Sequence, residues 1–200
     1  MLVIGLTGPT GAGKGTVSDV FAAFGIPIID ADDIYHALLT PPSECLSELV
    51  YTFGRGILTP SGSLDRRALA SIVFSDAEQL AQLNAITHRY VMGAIRKRID
   101  ELRRDSVRAA VLDAPQLFEA GANKDCNIIV AVLASKETRI ERLLTRDGID
   151  REAILRRMNS QKSDDFFRKH ADYVIENDGN VSGILPAVKR ILTETGVLTE

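Results

Sequence analysis

Residues 2–16 read Leu-Val-Ile-Gly-Leu-Thr-Gly-Pro-Thr-Gly-Ala-Gly-Lys-Gly-Thr, and this stretch decides the fold. Leu2 to Leu6 is an apolar run of a length that suits a buried strand. Gly8 and Gly13-Lys14 then stand at the GxxxxGK spacing. Glycines there let successive backbone N–H groups turn inward around a phosphate, and the following helix start adds positive potential. The lysine reaches the β and γ oxygens of a nucleoside triphosphate. Val17, Val20, Phe21 and Phe24 follow at helical spacing, and Gly25 is a good helix stop. Strand, glycine loop and helix come in the order the chemistry needs, so Gly11, Ala12, Gly13, Lys14, Gly15 and Thr16 are expected to bind ATP phosphates. The position after Lys14, where a Ser or Thr normally offers its hydroxyl to magnesium, is Gly15. The hydroxyl comes one residue later, at Thr16, as a metal ligand or an α-phosphate contact.

Outward from this loop, further short runs at Ile26–Ile29, Ala109–Leu112, Ile128–Leu133 and Tyr173–Ile175 are mostly apolar on both faces. Strands of that kind belong to parallel sheets covered by helices. The fold class expected is a three-layer α/β/α sandwich around a five-stranded parallel sheet. A last helix carries Val181, Ile184, Leu185, Val188, Ile191 and Leu192 on one face. About 75 residues between the second and third strands contain no convincing strand. Asp65 and Asp76 look like N-caps there, and Leu80, Leu83, Ile86, Tyr90, Val91, Ala94 and Ile95 form a long amphipathic stripe. Ser135 can cap a helix that Gly148 ends, and Asp150 can cap the next. The expected division of this single domain is a nucleotide core of residues 1–31, 108–135 and 163–200, a helical insertion of 32–107 and a lid of 136–162.

In an open α/β sheet ligands sit beyond the carboxyl ends of the strands. Asp30-Ala31-Asp32-Asp33 follows the second strand. Asp30 and Asp32 share a side if the chain is still extended, and either could take a proton from an attacking hydroxyl or orient magnesium. Asp33 reads as the N-cap of a helix over Ile34–Leu39. Asp113 ends the third strand, where an acid can stand near the metal, with a turn or cap role as its competitor. Arg139, Arg142 and Arg146 recur at three- and four-residue spacing, so they share a helix face. That face is either solvated or a clamp for the charge that phosphoryl transfer spreads over the transferred group.

Composition limits the remaining choices. The 200 residues carry 24 Lys plus Arg against 27 Asp plus Glu, a net charge of −3, which argues against coating nucleic acid or anionic lipid by bulk charge. The segment Lys136–Lys169 alone holds ten basic and seven acidic residues, a local +3 suited to phosphates. No apolar run approaches the roughly 20 residues of a membrane helix. The N-terminus reads as a strand and not as a signal peptide, which predicts a cytosolic protein. Cys45 and Cys126 are isolated, so neither a disulfide framework nor a zinc site is expected.

These residues together resemble the bacterial dephospho-coenzyme A kinase family over nearly the whole chain. The resemblance is carried by Gly5-Leu6-Thr7-Gly8 with the loop, Ile29-Asp30-Ala31-Asp32, and Leu64-Asp65-Arg66 with Val73-Phe74. Further along it rests on His88, Asp113-Ala114-Pro115 with Leu117-Phe118-Glu119, Arg142 with Arg146, Gln161, and Ala171-Asp172 with Ile175 and Asn177. It implies a nucleotide core, a coenzyme-binding helical region and a lid. It implies ATP and dephospho-coenzyme A as substrates with Mg2+ as cofactor, no nucleic acid or membrane partner, and a monomer or weak homo-oligomer. By that analogy Asp32 is the general base toward the ribose 3′-hydroxyl, and Lys14 and Arg142 neutralise the moving phosphoryl group. Arg146 and Asn177 join the ATP site, and Arg66, His88 and Asp113 hold dephospho-coenzyme A; Thr16 and Asp113, from their own positions in the sequence, are the candidate metal ligands. Gly15, Gln116 and Arg89 depart from the family's usual Ser or Thr, Leu and Pro.

Two alternatives compete. The Gly-Lys-Gly-Thr form points to a nucleoside monophosphate kinase, against which the Asp-Ala-Asp element and the long helical insertion weigh. A nucleotide switch would carry a hydroxyl at position 15 and a guanine-reading Asn-Lys-x-Asp, and neither is present.

Overall fold

The structure is a computed structural model and describes residues 1–179 and 183–199. In chain order the elements are β1 (Leu2–Thr7), α1 (Lys14–Ala23), β2 (Ile28–Asp30), α2 (Ala31–Leu38), α3 (Glu44–Phe53), α4 (Arg66–Val73), α5 (Ala77–Arg104), β3 (Ala109–Asp113), β4 (Ile128–Leu133), α6 (Lys136–Asp147), α7 (Arg151–Asn159), α8 (Asp164–His170), β5 (Tyr173–Glu176) and α9 (Ile184–Glu194). Two compact units result, Met1–Ile29 with Glu101–Glu200, and Asp30–Asp100.

The first unit holds a five-stranded sheet in the order β2-β3-β1-β4-β5, with β1 parallel to both β3 and β4 and β4 parallel to β5. Side chains alternate across it because successive residues of a strand face opposite ways. Ile4, Leu6, Val111, Val130 and Val132 pack on one face with Val17 and Phe21 of α1 and Ile184, Val188 and Ile191 of α9. Ala131 and Leu133 point the other way, onto Phe167 of α8. Helices therefore cover both faces, which is the three-layer α/β/α arrangement expected of continuously apolar parallel strands. Val181, which opens the expected stripe of the last helix, lies outside the described residues.

The second strand begins at Ile28 and not at Ile26. The Ile26 amide donates to Phe21 O (3.2 Å) and closes the end of α1, and Pro27 contributes only its carbonyl, which accepts from Val111 N (3.0 Å).

The second unit is helical. Asp65 accepts from the amides of Arg67 and Ala68 and starts α4, and Asp76 accepts from Glu78 and Gln79 and starts α5. Leu80, Leu83, Ile86 and Tyr90 of α5 pack against a core of Leu39, Cys45, Leu49, Ile57, Leu69 and Val73. The cap of α2 differs from expectation. Asp30, not Asp33, is extended (φ −86°, ψ 114°), and its carboxylate accepts from Asp32 N and Asp33 N, so the helix begins at Ala31. Three aspartates in four residues can each cap a helix. The one that ends a strand holds the extended backbone a cap requires. Asp30 and Asp32 consequently do not sit on one side of an extended chain.

Candidate active site

The loop between β1 and α1 is built by opposed demands on its peptide groups. Its carbonyls are held by protein donors. Pro9 O accepts from Ala12 N (3.2 Å) and Gly13 O from Thr16 N (3.1 Å). Thr10 O accepts from Arg139 Nε at 2.9 Å, and Arg142 donates to Gly11 O (3.4 Å) and Ala12 O (3.2 Å). Ala12 O also accepts from the side-chain amide of Asn177 at 2.8 Å. No side chain caps α1, and the first amides of a helix have no acceptor inside it. Ala12 N and Thr16 N donate to two of these carbonyls, and the remaining amides of this turn and of the first turn of α1 form a cradle for an anion.

Two of the loop's positions illustrate why glycine is required there. Gly8 has φ 150°, and a Cβ there would lie 2.2 Å from the Val132 carbonyl oxygen of β4. Gly13 has φ 86°, and its Cβ would lie 2.2 Å from Asn177 Nδ2. Side chains rarely adopt such φ values, and in each case the colliding atom is part of the loop's own frame. A Cβ at Gly15, by contrast, meets nothing within 4 Å.

Lys14 opens α1 and pairs with the carboxylate of Asp113. The register explains the pairing: Asp113 at the end of β3 stands opposite Leu6 of β1, and Ala114 N donates to Leu6 O at 3.0 Å. Asp113 is only 3% exposed. A carboxylate so placed needs a cation, and here the loop lysine is one. Both residues sit beyond the carboxyl ends of neighbouring strands, where open α/β sheets place their ligands.

The three arginines of α6 part company. Ser135 caps the helix and Gly148 ends it, as expected. Arg139 is 6% exposed and reaches both Thr10 O and Asp164 Oδ1, the latter at 3.1 Å. Burial pushes its guanidinium below the usual arginine range, against the pull of Asp164. Arg142 lies on the loop carbonyls. Arg146 is exposed and clasps Asp147 by two hydrogen bonds, which hold the Asp147 carboxyl below its usual range, with Arg157 adding to it. The expected common face thus resolves into one buried brace, one loop contact and one solvent-side pair. Between loop and helix runs a cleft of about 480 Å³ lined by Gly11, Gly13, Glu141, Arg142, Thr145 and Arg146.

The first unit therefore gathers Gly11 to Thr16, Asp113, Arg142 and Asn177 around one loop. Asp32, Arg66 and His88 lie in the second unit: Asp32 exposed in the first turn of α2, Arg66 exposed at the start of α4, and His88 half-buried on α5. Arg89 next to His88 bonds to Glu48 of α3 and lies over the Tyr90 ring. Sequence reasoning missed the work of Gln161, whose side-chain oxygen accepts from Thr10 N at 2.9 Å. It sits in the turn after α7, where no periodic pattern marks a residue.

A glycine loop at the switch point of a parallel three-layer sheet, with a lysine at the helix start and arginines beside it, defines a P-loop phosphotransferase of the small-kinase type. The model of the dephospho-CoA kinase family matches residues 2–183. The chain belongs to the dephospho-CoA kinase family, ATP-dependent kinases of coenzyme A biosynthesis. A dephospho-CoA kinase of Corynebacterium efficiens is 39% identical over 194 residues, 97% of each chain. Among solved structures, one from Thermus thermophilus superposes with a TM-score of 0.82 at 35% identity, covering 100% of this chain and 98% of that one. A dephospho-CoA kinase from Campylobacter jejuni gives 0.73 at 25% identity, covering 98% of each.

Proposed function

We propose that this chain transfers the γ-phosphoryl group of ATP to the ribose 3′-hydroxyl of dephospho-coenzyme A, giving coenzyme A and ADP. The acceptor oxygen bonds to the γ-phosphorus as the bond to the β–γ bridging oxygen breaks, and Asp32 takes the hydroxyl proton. The loop amides and Lys14 hold the β and γ phosphates. Arg142 supplies compensating charge, and Arg146 and Asn177 complete the ATP site. Arg66, His88 and Asp113 bind the acceptor. The observation that carries this reading is the loop itself, whose carbonyls are engaged outward while Lys14 stands at the start of α1.

Magnesium fits the residues present. Among the described residues no three His, Cys, Asp or Glu side chains cluster to hold a metal ion. A hard cation brought in on the phosphates needs only one or two protein oxygens, and the Asp113 carboxylate and Thr16 hydroxyl supply them. Held by Asp113 and Thr16, Mg2+ would supply positive charge against the phosphate oxygens.

The reading includes a cytoplasmic chain, acting as a monomer or weak homo-oligomer without nucleic acid or membrane partner. The net charge of −3 supports the absence of an anionic polymer partner, and no helix among the described residues is long and apolar enough to cross a membrane. The test is to incubate the protein with ATP, Mg2+ and dephospho-coenzyme A and to resolve products by mass. Coenzyme A and ADP in equal amounts are expected. ADP release that ignores the acceptor would contradict the reading and favour a nucleotide switch.

A further inference from the structure

We propose that Arg139 and Gln161 are positioning residues for the phosphate loop, gripping Thr10 by its carbonyl and its amide, the two peptide groups that flank its Cα, and so setting the turn that presents the next amides to the nucleotide. The proposal rests on the reading of that loop as the ATP cradle, but it assigns work to two side chains that touch no substrate there.

The geometry converges on one residue, Thr10, from three elements. Arg139 lies one turn into α6, and its Nε donates to Thr10 O at 2.9 Å. Gln161, in the turn beyond α7, accepts from Thr10 N at 2.9 Å. Asp164, the first residue of α8, accepts from Arg139 NH1 at 3.1 Å and fixes the far side of the guanidinium. The α6 backbone is itself against the loop, since a Cβ on Gly11 would lie 2.8 Å from Arg139 O.

The choice of residue argues for positioning and against packing. A buried guanidinium is costly to desolvate, and apolar side chains of similar volume fill such a place at least as well. Arginine has what they lack, a planar fork that satisfies a carbonyl and a carboxylate in fixed relative directions; the three donors of a lysine ammonium rotate about one point and fix no such directions. Arg142 and Asn177 hold the next carbonyls along, so Thr10 is the residue at which the loop's path is set before its amides turn inward. Thr10 precedes Gly11, whose φ of 80° makes that turn.

The test compares Arg139→Met, Arg139→Lys, Gln161→Leu and Gln161→Glu with the wild type. ATP and ADP dissociation constants would be measured by calorimetry, alongside kcat, the KM for each substrate and the thermal midpoint. Losing a hydrogen bond at a charged group corresponds to about a 10–100-fold effect. Arg139→Met is expected to weaken ATP binding about that much while the KM for dephospho-coenzyme A stays within about twofold. Arg139→Lys recovers little of the loss. Gln161→Leu weakens ATP binding in the same direction, and Gln161→Glu, which keeps an acceptor for Thr10 N, restores most of it. Both grips fix the backbone of one residue, so the double variant loses less than the product of the single effects. Gln161 is only half-buried, so its variants keep the question answerable if Arg139→Met folds poorly. ATP affinity within twofold of wild type in folded Arg139→Met and Gln161→Leu, with only the thermal midpoint lowered, would overturn the proposal. A wild-type protein that binds no ATP would instead overturn the cradle reading beneath it.

Discussion

Lys14 is pulled two ways, toward the phosphates it is proposed to hold and toward Asp113, its partner in this structure. Removing it therefore does more than lower turnover. Lys14→Ala leaves a carboxylate that is 3% exposed without this cation, and stripping one partner from a buried pair is destabilising. Because the lysine side chain is itself 19% exposed, a cost of about 1–3 kcal/mol is the reasonable share of that effect. Adding Asp113→Asn to Lys14→Ala should recover much of the stability in chemical denaturation and none of the turnover. Recovery of turnover would contradict Lys14 as a transition-state contact. Of the site residues, the loop was legible because Gly8, Gly13 and the lysine answer a backbone or charge requirement at a fixed offset. Gln161 and the brace made by Arg139 were not, because spacing on a helix says which side chains share a face and nothing about what tertiary partner each one meets.

At the scale of elements, the β1–loop–α1 unit makes opposite predictions for glycines two residues apart. Gly13→Ala meets both a positive φ and Asn177, and strain plus overpacking of this kind costs about 2–4 kcal/mol. It should also lower ATP affinity, since Asn177 must leave Ala12 O. Gly15→Ser has open space and an ordinary helical backbone. Replacing a helical glycine is worth about 0.5 kcal/mol, a rise of about 1–2 °C in Tm for a chain of this size. A Gly15→Ser variant that lost stability would show that the first turn of α1 is crowded in a way the structure excludes. The strands were readable in advance because apolar residues on both faces leave few other fates. The start of α2 was not, because Asp30, Asp32 and Asp33 have equal capping chemistry and only the end of β2 selects among them.

For the molecule as a whole, charge and burial set a pH limit. Burial, with Asp125 adding to it, pushes the Cys126 thiol up to about 12, whereas an unfolded thiol titrates near 8.5. Between those values the folded state keeps a proton that the unfolded state loses. Stability therefore falls as pH rises through that window, with no contribution from this group below it. Denaturation midpoints measured from pH 8 to 11 should decline, and less steeply in Cys126→Ala; equal slopes would contradict the assignment. A long strandless stretch between apolar runs of strand length is what set a helical insertion of 32–107 apart in the sequence; the compact units of the structure are Met1–Ile29 with Glu101–Glu200, and Asp30–Asp100. The same sequence placed Arg66 and His88 only by family resemblance, since their helices carry no motif that announces an acceptor, whereas Asp32 stood out by following the second strand.

The central claim is the acceptor. It is tested most directly by comparing kcat/KM for dephospho-coenzyme A with those for AMP, CMP and UMP at fixed ATP and Mg2+, and by locating the added phosphate by NMR. A site built to hydrogen-bond one acceptor rejects others strongly, so a preference of at least about 100-fold for dephospho-coenzyme A is expected, with the phosphate on the ribose 3′-oxygen. Faster turnover of any nucleoside monophosphate would contradict the account.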